Sequence, residues 1–294
     1  IVLRLCAVAD LKNKTLNIER MTIIEQMFNK PLPPHYCKTL VSGSALVNAD
    51  CFDIFPYIKD KSVNLILADL PYGTTNCSWD IKIPFEPLWE EWNRIAKENA
   101  AIVLTGQQPF TTDIISSNRK YFRYEIIWEK TQKLGFLDAN QKPLRAHENI
   151  IVFYRKLPTY NPQKYFIGDE KKRTKATPQD NRYDGYGANK GNTYTYTGYR
   201  FPHSVIKISN WNGALFGNTD KATKHPTQKP VVVIAWAMDK AKIPMGATVL
   251  DPYMGSGSTG VACAMLGRDF TGVERERRYF DIACERISRA HAQG

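Results

Sequence analysis

A chain of 294 residues with 43% hydrophobic and 23% charged side chains can bury one full α/β core plus a smaller lobe, which excludes a largely disordered protein. No apolar run approaches the ~18 residues of a membrane span, and the apolar-rich start Ile1 to Ala9 lacks a basic segment before it and a small-residue cleavage site after it. Neither a transmembrane helix nor a secretory signal is therefore expected, and the location read from the sequence is cytoplasmic. A net charge of +11 favours a polyanionic partner, nucleic acid first among them.

Residues 1–40 read as an N-terminal extension, and Met21 is a candidate start, which would leave residues 1–20 as an upstream segment without function. Cys6, Cys37, Cys51, Cys77, Cys263 and Cys284 lack CxxC spacing and read as reduced thiols. In residues 41–154 the run Ser62 to Ala68 reads as a buried parallel strand that delivers a Pro-containing loop at its C-terminal edge. Leu88, Trp89, Trp92, Ile95 and Ala96 predict a helix over Phe85 to Glu98. A strand at Ala100 to Leu104, a helix at Phe110 to Ser117 and strands at Tyr124 to Glu129 and Ile150 to Tyr154 follow. Such alternation predicts a doubly wound parallel sheet.

The pattern stops at Arg155. Residues 155–224 hold thirteen Lys or Arg against five acidic residues, a surplus of eight that is most of the whole-chain excess. From 225 to 294 the α/β character returns, with a helix at Val231 to Lys240, a strand at Ala247 to Leu250, a helix at Ser258 to Leu266, a strand at Asp269 to Val273 and a closing helix at Tyr279 to Ala290.

Two loops carry chemistry. Val249 to Thr259 is a strand, a Gly turn (Gly255, Gly257) and a helix start, where backbone approaches a ligand closely and free N–H groups face a carboxylate or phosphate. No Gly-Lys-Ser/Thr follows, which argues against a triphosphate loop, and the third Gly of a dinucleotide fingerprint is absent. Glu274, ending the next strand, suits two vicinal ribose hydroxyls. S-adenosylmethionine fits both features. The second loop is Asp69-Leu70-Pro71-Tyr72. An exocyclic amine is a poor nucleophile because its lone pair is delocalised into the ring. The Asp69 carboxylate and the Leu70 carbonyl, accepting its two protons, would favour the geometry that attacks a methyl group, with Pro71 fixing the turn and Tyr72 stacking on a base swung out of the duplex. By itself the tetrapeptide reads equally well as a strand-ending turn.

Together these segments resemble motif IV (usually Asp-Pro-Pro-Tyr) and motif I (Asp-Pro-Phe-x-Gly-Ser-Gly-Thr-Thr) of amino-group DNA methyltransferases. Their order, with a basic region between, resembles the β group of that family, and the likeness spans Ser44 to Ala290. His225-Pro226-Thr227-Gln228-Lys229-Pro230 resembles motif X, whose Lys and neighbours contact the methionine end of the cofactor, and Asp50 matches the position that contacts its adenine. The resemblance implies a circularly permuted Rossmann-like methyltransferase fold with a seven-stranded, mostly parallel sheet: a catalytic half at 41–154, a target-recognition region at 155–224 and a cofactor-binding half at 225–294. It implies Asp69, Leu70, Pro71 and Tyr72 as catalytic residues, and Asp50, Lys229, Asp251, Pro252, Gly255, Ser256, Gly257, Thr259 and Glu274 as cofactor contacts. Leu70 departs from the usual first proline, and Tyr253 from the usual Phe. Asp rather than Ser at position 69 is closer to adenine-N6 members than to cytosine-N4 members, which remain the alternative.

Lys171, Lys172, Arg173 and Lys175, with Tyr183, Tyr186, Tyr194, Tyr196 and Tyr199, combine phosphate-contacting charge with stacking surface; alone such a run reads as a solvated insertion, and its place between motifs IV and X, where the resembled family keeps its target-recognition region, implies the contact to double-stranded DNA. A cognate restriction endonuclease is a candidate partner, the protein itself a monomer or homodimer, and no metal is expected. An inactive DNA-binding protein of the same fold and an RNA or protein amino methyltransferase are the readings from other classes.

Overall fold

The computed structural model describes residues 27–41, 43–73, 80–160, 162, 164–166, 198–210, 228–240 and 247–293. The expected DNA contacts Lys171, Lys172, Arg173 and Lys175, and His225 to Thr227 of the motif X segment, lie outside the described residues. Two compact units divide the chain: Ile1–Asn161 with Ser204–Gly294, and Pro162–His203.

In the larger unit the elements run β1 (Cys37–Val41), β2 (Ser44–Asn48), α1 (Cys51–Ile54), β3 (Val63–Ala68), α2 (Phe85–Ile95), β4 (Ala96–Gly106), α3 (Phe110–Ser117), β5 (Phe122–Leu134) and β6 (Arg145–Phe153). The smaller unit holds the short antiparallel pair β7 (Tyr165–Phe166) and β8 (Tyr199–Arg200), with the Tyr165 hydroxyl 3.1 Å from His203 Nε2. The larger unit resumes with β9 (Val205–Ile208), α4 (Val231–Lys240), β10 (Thr248–Asp251), α5 (Ser258–Leu266), β11 (Asp269–Glu274) and α6 (Arg277–Gln293).

The strands of the larger unit form one sheet in the order β1-β2-β11-β10-β3-β4-β6-β5-β9. Every pairing from β2 to β4 is parallel, β6 is antiparallel to both neighbours, β9 is parallel to β5, and β1 is antiparallel to β2. The expected seven strands are the run β2 to β5; the described sheet has nine because the edges gain β1 and β9. β1 belongs to the segment read as an extension, and Met27 and Phe28 of that segment are also buried in the core. β9 belongs to the basic stretch, so part of that stretch builds the main sheet.

Successive side chains of a strand point to opposite faces. Ile66 and Ala68 of β3 join a cluster with Leu88, Trp92 and Ile95 of α2 and Phe110 and Ile114 of α3. Leu65 and Leu67 face the other way, with Val233 and Met238 of α4, Ala262 of α5 and Phe280 and Ile287 of α6. The result is a three-layer sandwich whose central strands are apolar on both faces, which explains the unbroken run of β3. Among the described residues no helix is long and apolar enough to cross a membrane.

α2 stops at Ile95 rather than at the expected Glu98. Ser62 N–H donates to the Ile95 carbonyl (2.9 Å), Arg155 donates to the Ala96 carbonyl (2.6 Å), and the chain turns extended at Ala96 (φ −72°, ψ 135°). β5 and β6 also run beyond their apolar cores, forming a long hairpin that projects past the sheet.

α5 crosses α6 and β11 through Gly260. A Cβ there would stand 2.3 Å from Ile287 Cδ1 and 2.7 Å from Phe270 Cε1. Gly260→Val should cost about 1–3 kcal/mol through overpacking. A urea titration read by circular dichroism checks this, and an unchanged midpoint would show that the two helices have slack at this crossing.

Candidate active site

Because β2, β11, β10, β3, β4 and β5 run in one direction, their C-terminal ends share one edge, where the antiparallel β6 begins. Open α/β sheets bind ligands at this edge. Every residue expected to be catalytic, and every expected cofactor contact except Gly257, lines a single cavity of about 780 Å³ there. Gly257 instead precedes α5 with φ +81°, and its Cβ position faces Ala283, so its work is to turn the chain.

Asp69 leaves β3 into the centre of the cavity. Its Oδ1 accepts from the Tyr72 hydroxyl (2.9 Å) and from the Thr105 hydroxyl at the end of β4. Its Oδ2 pairs with Lys229 Nζ at 2.7 Å. Leu70 is buried, and the Tyr72 ring is stacked on Phe110 with centroids 4.7 Å apart. The Lys229 ammonium lies over the same ring, 5.4 Å from its centroid. Phe110 thus packs on the ring while a cation lies over it. Burial and the neighbouring Asp69 carboxylate push the Tyr72 phenol well above its ordinary range, so it donates and does not ionise.

Lys229 precedes α4 and is 9% exposed. Burial would push its ammonium down, but the carboxylate of Asp69, helped by Tyr72 and Glu148, holds it well above the usual lysine range. Glu148 Oε2 lies 3.6 Å from Lys229 Nζ, and Glu148 Oε1 accepts from the buried Lys130. The side chains form a chain of alternating charge, Asp69, Lys229, Glu148, Lys130, with Lys130 5.3 Å from the Trp128 ring centre. A buried ion without its partner costs several kcal/mol, so the strict alternation is what makes the row tolerable.

On the other side of the cavity the Gly-rich turn is fastened by two carboxylates. Asp251 Oδ2 accepts from Thr259 Oγ1 (2.6 Å) and its Oδ1 from Tyr253 N–H (3.0 Å). Glu274 Oε2 accepts from Gly255 N–H (2.9 Å) and its Oε1 from Glu276 N–H (2.7 Å), while burial pushes its carboxyl up. Ser256 donates to Gln228 Oε1 at 2.9 Å, and its own hydroxyl and carbonyl accept from Arg286 of α6. Pro252, next to Asp251 in the chain, lines the same cavity. Asp50 caps α1, accepting from Phe52 N–H at 2.9 Å, and sits 3.9 Å from Arg275 Nη1.

Thr105 and Lys130, at strand ends on the expected active-site edge, Glu148 and the motif X residue Gln228 stand outside the residues assigned to catalysis or cofactor, and each lines the cavity or bonds a residue that does. The signal for the charged pair is period 2: Trp128 and Lys130 fall on one face of β5, and Glu148 is the register partner of Trp128 on β6. A charged side chain alternating with a core tryptophan needs a buried counter-ion, and only strand pairing identifies it. Among the described residues no group of three or more His, Cys, Asp or Glu could hold a metal ion.

The sequence profile of the N6/N4 DNA methylase family matches residues 63–285, more than half of the chain. The type II methyltransferase M2.LlaDCHI of Lactococcus lactis subsp. cremoris is 27% identical over 287 residues, covering 89% of this chain and 94% of that one. M2.DpnII of Streptococcus pneumoniae is 26% identical over 281 residues, covering 86% and 92%. Among solved structures, the M1.HpyAVI complex with S-adenosylmethionine matches with a TM-score of 0.55 at 22% identity, over 82% of this chain and 98% of that one. The cytosine-N4-specific PvuII DNA methyltransferase matches with a TM-score of 0.58 at 12% identity, over 86% and 93%. Both structures share the fold, and the profile spans the Asp69 loop, the Lys229 segment, the Gly-rich turn and Glu274: the chain belongs to the N6/N4 DNA methylase family and is an S-adenosylmethionine-dependent DNA methyltransferase.

Proposed function

We propose that the methyl group goes to the N6 amino group of adenine in duplex DNA, and that Asp69 to Tyr72 carry the chemistry. The observation behind this reading is the setting of Asp69, on the cavity wall: a carboxylate with one oxygen engaged by Tyr72 and Thr105, and the other paired, among the described residues, with Lys229. Asp at this position, rather than Ser, favours adenine over cytosine as the accepting base.

The residues of the opposite wall suit the cofactor. A cavity of about 780 Å³ lies within the range of small-ligand sites, roughly 300–1,000 Å³. Glu274 presents a buried carboxylate for ribose hydroxyls, Asp50, on the same cavity wall, is the proposed contact to the adenine, and the turn at Gly255 and Ser256 leads into the start of α5, whose N-terminus suits a carboxylate. Asp251, Pro252 and Thr259 hold the turn in shape. The bound cofactor supplies an electrophilic methyl group.

The protein's own part is to hold the amine. Its two N–H groups donate to Asp69 Oδ2 and the Leu70 carbonyl, which frees the nitrogen lone pair from the ring. The target amine therefore competes with Lys229 for Oδ2, and a base stacking on Tyr72 takes the space over the ring that the ammonium now fills. Glu148, 3.6 Å from the same ammonium, gives Lys229 a carboxylate to retain when it yields Asp69. Asp69 then accepts the proton that the methylated amine releases.

The recognition region at 155–224 is proposed to contact the DNA through Lys171, Lys172, Arg173 and Lys175. A cognate endonuclease, and a monomeric or homodimeric state, complete this reading.

Modified-base sequencing of DNA from a methylation-free host expressing the chain should find N6-methyladenine at one recognition sequence. Asp69→Ala should abolish incorporation while S-adenosylmethionine binding, measured by calorimetry, survives. N4-methylcytosine as the sole product would move the acceptor to cytosine.

Asp251 gives a second measurement. Burial pushes its carboxyl up to about 7, well above the ~3.9 of an exposed Asp in the unfolded chain. A carboxyl with a raised folded-state pKa contributes stability that is full below about pH 4 and is lost as the pH rises to about 7. Asp251→Asn keeps the shape without this titration. Urea titrations at pH 5.0 and 7.5 should show the wild type losing stability relative to the variant at the higher pH; a constant difference would mean that Asp251 is already ionised in the folded chain.

A further inference from the structure

The long hairpin formed by β5 and β6 ends in a wound turn beyond the cavity. Gly135 takes a left-handed φ of +89°, and a single 3-10 turn, Phe136 to Asp138, follows. Asp138 N–H donates to the Gly135 carbonyl (3.1 Å) and Ala139 N–H to the Phe136 carbonyl (3.2 Å). The Asp138 carbonyl accepts from Gln141 and Lys142 N–H, and the Asp138 carboxylate pairs with Lys142 at 2.7 Å. This ordered tip presents Phe136 at 80% and Leu137 at 98% exposure, flanked by Leu134 and Leu144. Two adjacent large apolar side chains so exposed, on a turn so well bonded, are an arrangement that folding alone does not reward.

Three further observations indicate what covers them. The hairpin stems form the cavity wall: Gln132, Leu134 and Arg145 line the same space as Asp69. Lys133, Lys142 and Arg145 flank the apolar tip in the chain, against the single acidic residue Asp138 within it, which pairs with Lys142, so the charge around the tip is net basic. The tip is also close to the chemistry, since at most roughly 20 Å of extended strand separates Lys130 from Phe136. Docking of a second copy fits poorly, because a stable dimer buries about 800 Å² per partner and this projection is two side chains wide.

We propose that Phe136 and Leu137 form a wedge that enters duplex DNA beside the target and occupies the space vacated when the base swings into the cavity. Taking a base out of the stack costs a few kcal/mol. Apolar side chains inserted between base steps offset that cost while the neighbouring basic side chains hold the phosphates. The wedge rests on methylation of a base swung out of duplex DNA, but not on whether that base is adenine or cytosine.

The test is Phe136→Ala combined with Leu137→Ala, both at exposed positions. Tritiated methyl incorporation is measured on two duplexes carrying the recognition sequence found by sequencing, one normal and one with an abasic site opposite the target, where the base is already loosened. On the normal duplex kcat/KM should fall about tenfold or more, consistent with the cost of unstacking. On the abasic duplex the variant should stay within about threefold of the wild type, a readout that lost fold or lost phosphate contact would not spare. Phe136→Trp with Leu137 retained should keep the normal activity. An equal loss on both duplexes, no loss on either, or a change in solution mass on substitution would overturn the wedge. Counting total tritium keeps the result independent of which base is methylated.

Discussion

The parallel pairing of β10 with β3 is the contact on which the site depends. It rests on two register pairs, Val249 with Leu65 and Leu250 with Ile66, between segments at opposite ends of the chain. A slip of one residue would exchange the two faces of β10, which pack into different layers, so alternation locks the register. Asn64 reinforces it, its Oδ1 accepting from Thr248 N–H (3.2 Å) and from Lys97 Nζ (3.0 Å). With the strands in register, the Asp69 loop and the Asp251 loop emerge side by side, and the reacting groups need no further device to meet.

The ion row fixes what that meeting looks like. Lys229 comes from the segment before α4, Asp69 from β3, and Glu148 and Lys130 from the β5–β6 hairpin, so three separate parts of the chain are tied by charge at one edge. Lys229, Glu148 and Lys130 are each costly to bury alone, and each lies against an opposite charge in the row. An acceptor that displaces Lys229 from Asp69 therefore meets a cation already held by a second carboxylate, which keeps the edge neutral in pairs while the chemistry proceeds.

Much of this was legible from residue patterns. The spans of α4 and α5 and the core of β3 follow from apolar periodicity and from Gly and Pro punctuation. The loop at Asp69 is ambiguous by itself, and it is the family resemblance, with its companions at Asp50, Lys229, the Gly255 turn and Glu274, that singles it out; the structure brings these companions to one cavity. Other features depend on tertiary pairing. α2 gives way to β4 at Ala96 because Arg155 and Ser62 take up the backbone groups there, and neither is near in sequence. Lys130 and Glu148 are ordinary strand charges until the β5–β6 register brings them together. β9 is four residues within a basic, irregular stretch, and only its partner β5 makes it a strand. The packing of Tyr72 against Phe110 and beneath Lys229 likewise depends on tertiary contacts that no local pattern in the sequence carries.

One contact at the far edge of the sheet has a wider meaning. Ser44 Oγ, at the start of β2, lies 3.2 Å from Nε2 of His291 in the last turns of α6. The helix that follows β11 thus ends against the first residue of the strand that pairs with β11. A connection across that contact would run strand, helix, strand without interruption, placing the cofactor turn ahead of the Asp69 loop in the gene while moving no atom of the pocket. The order in which the loops are encoded is then a property of ancestry and of where the backbone is cut, and two enzymes could share one reaction site while their genes read its parts in opposite sequence.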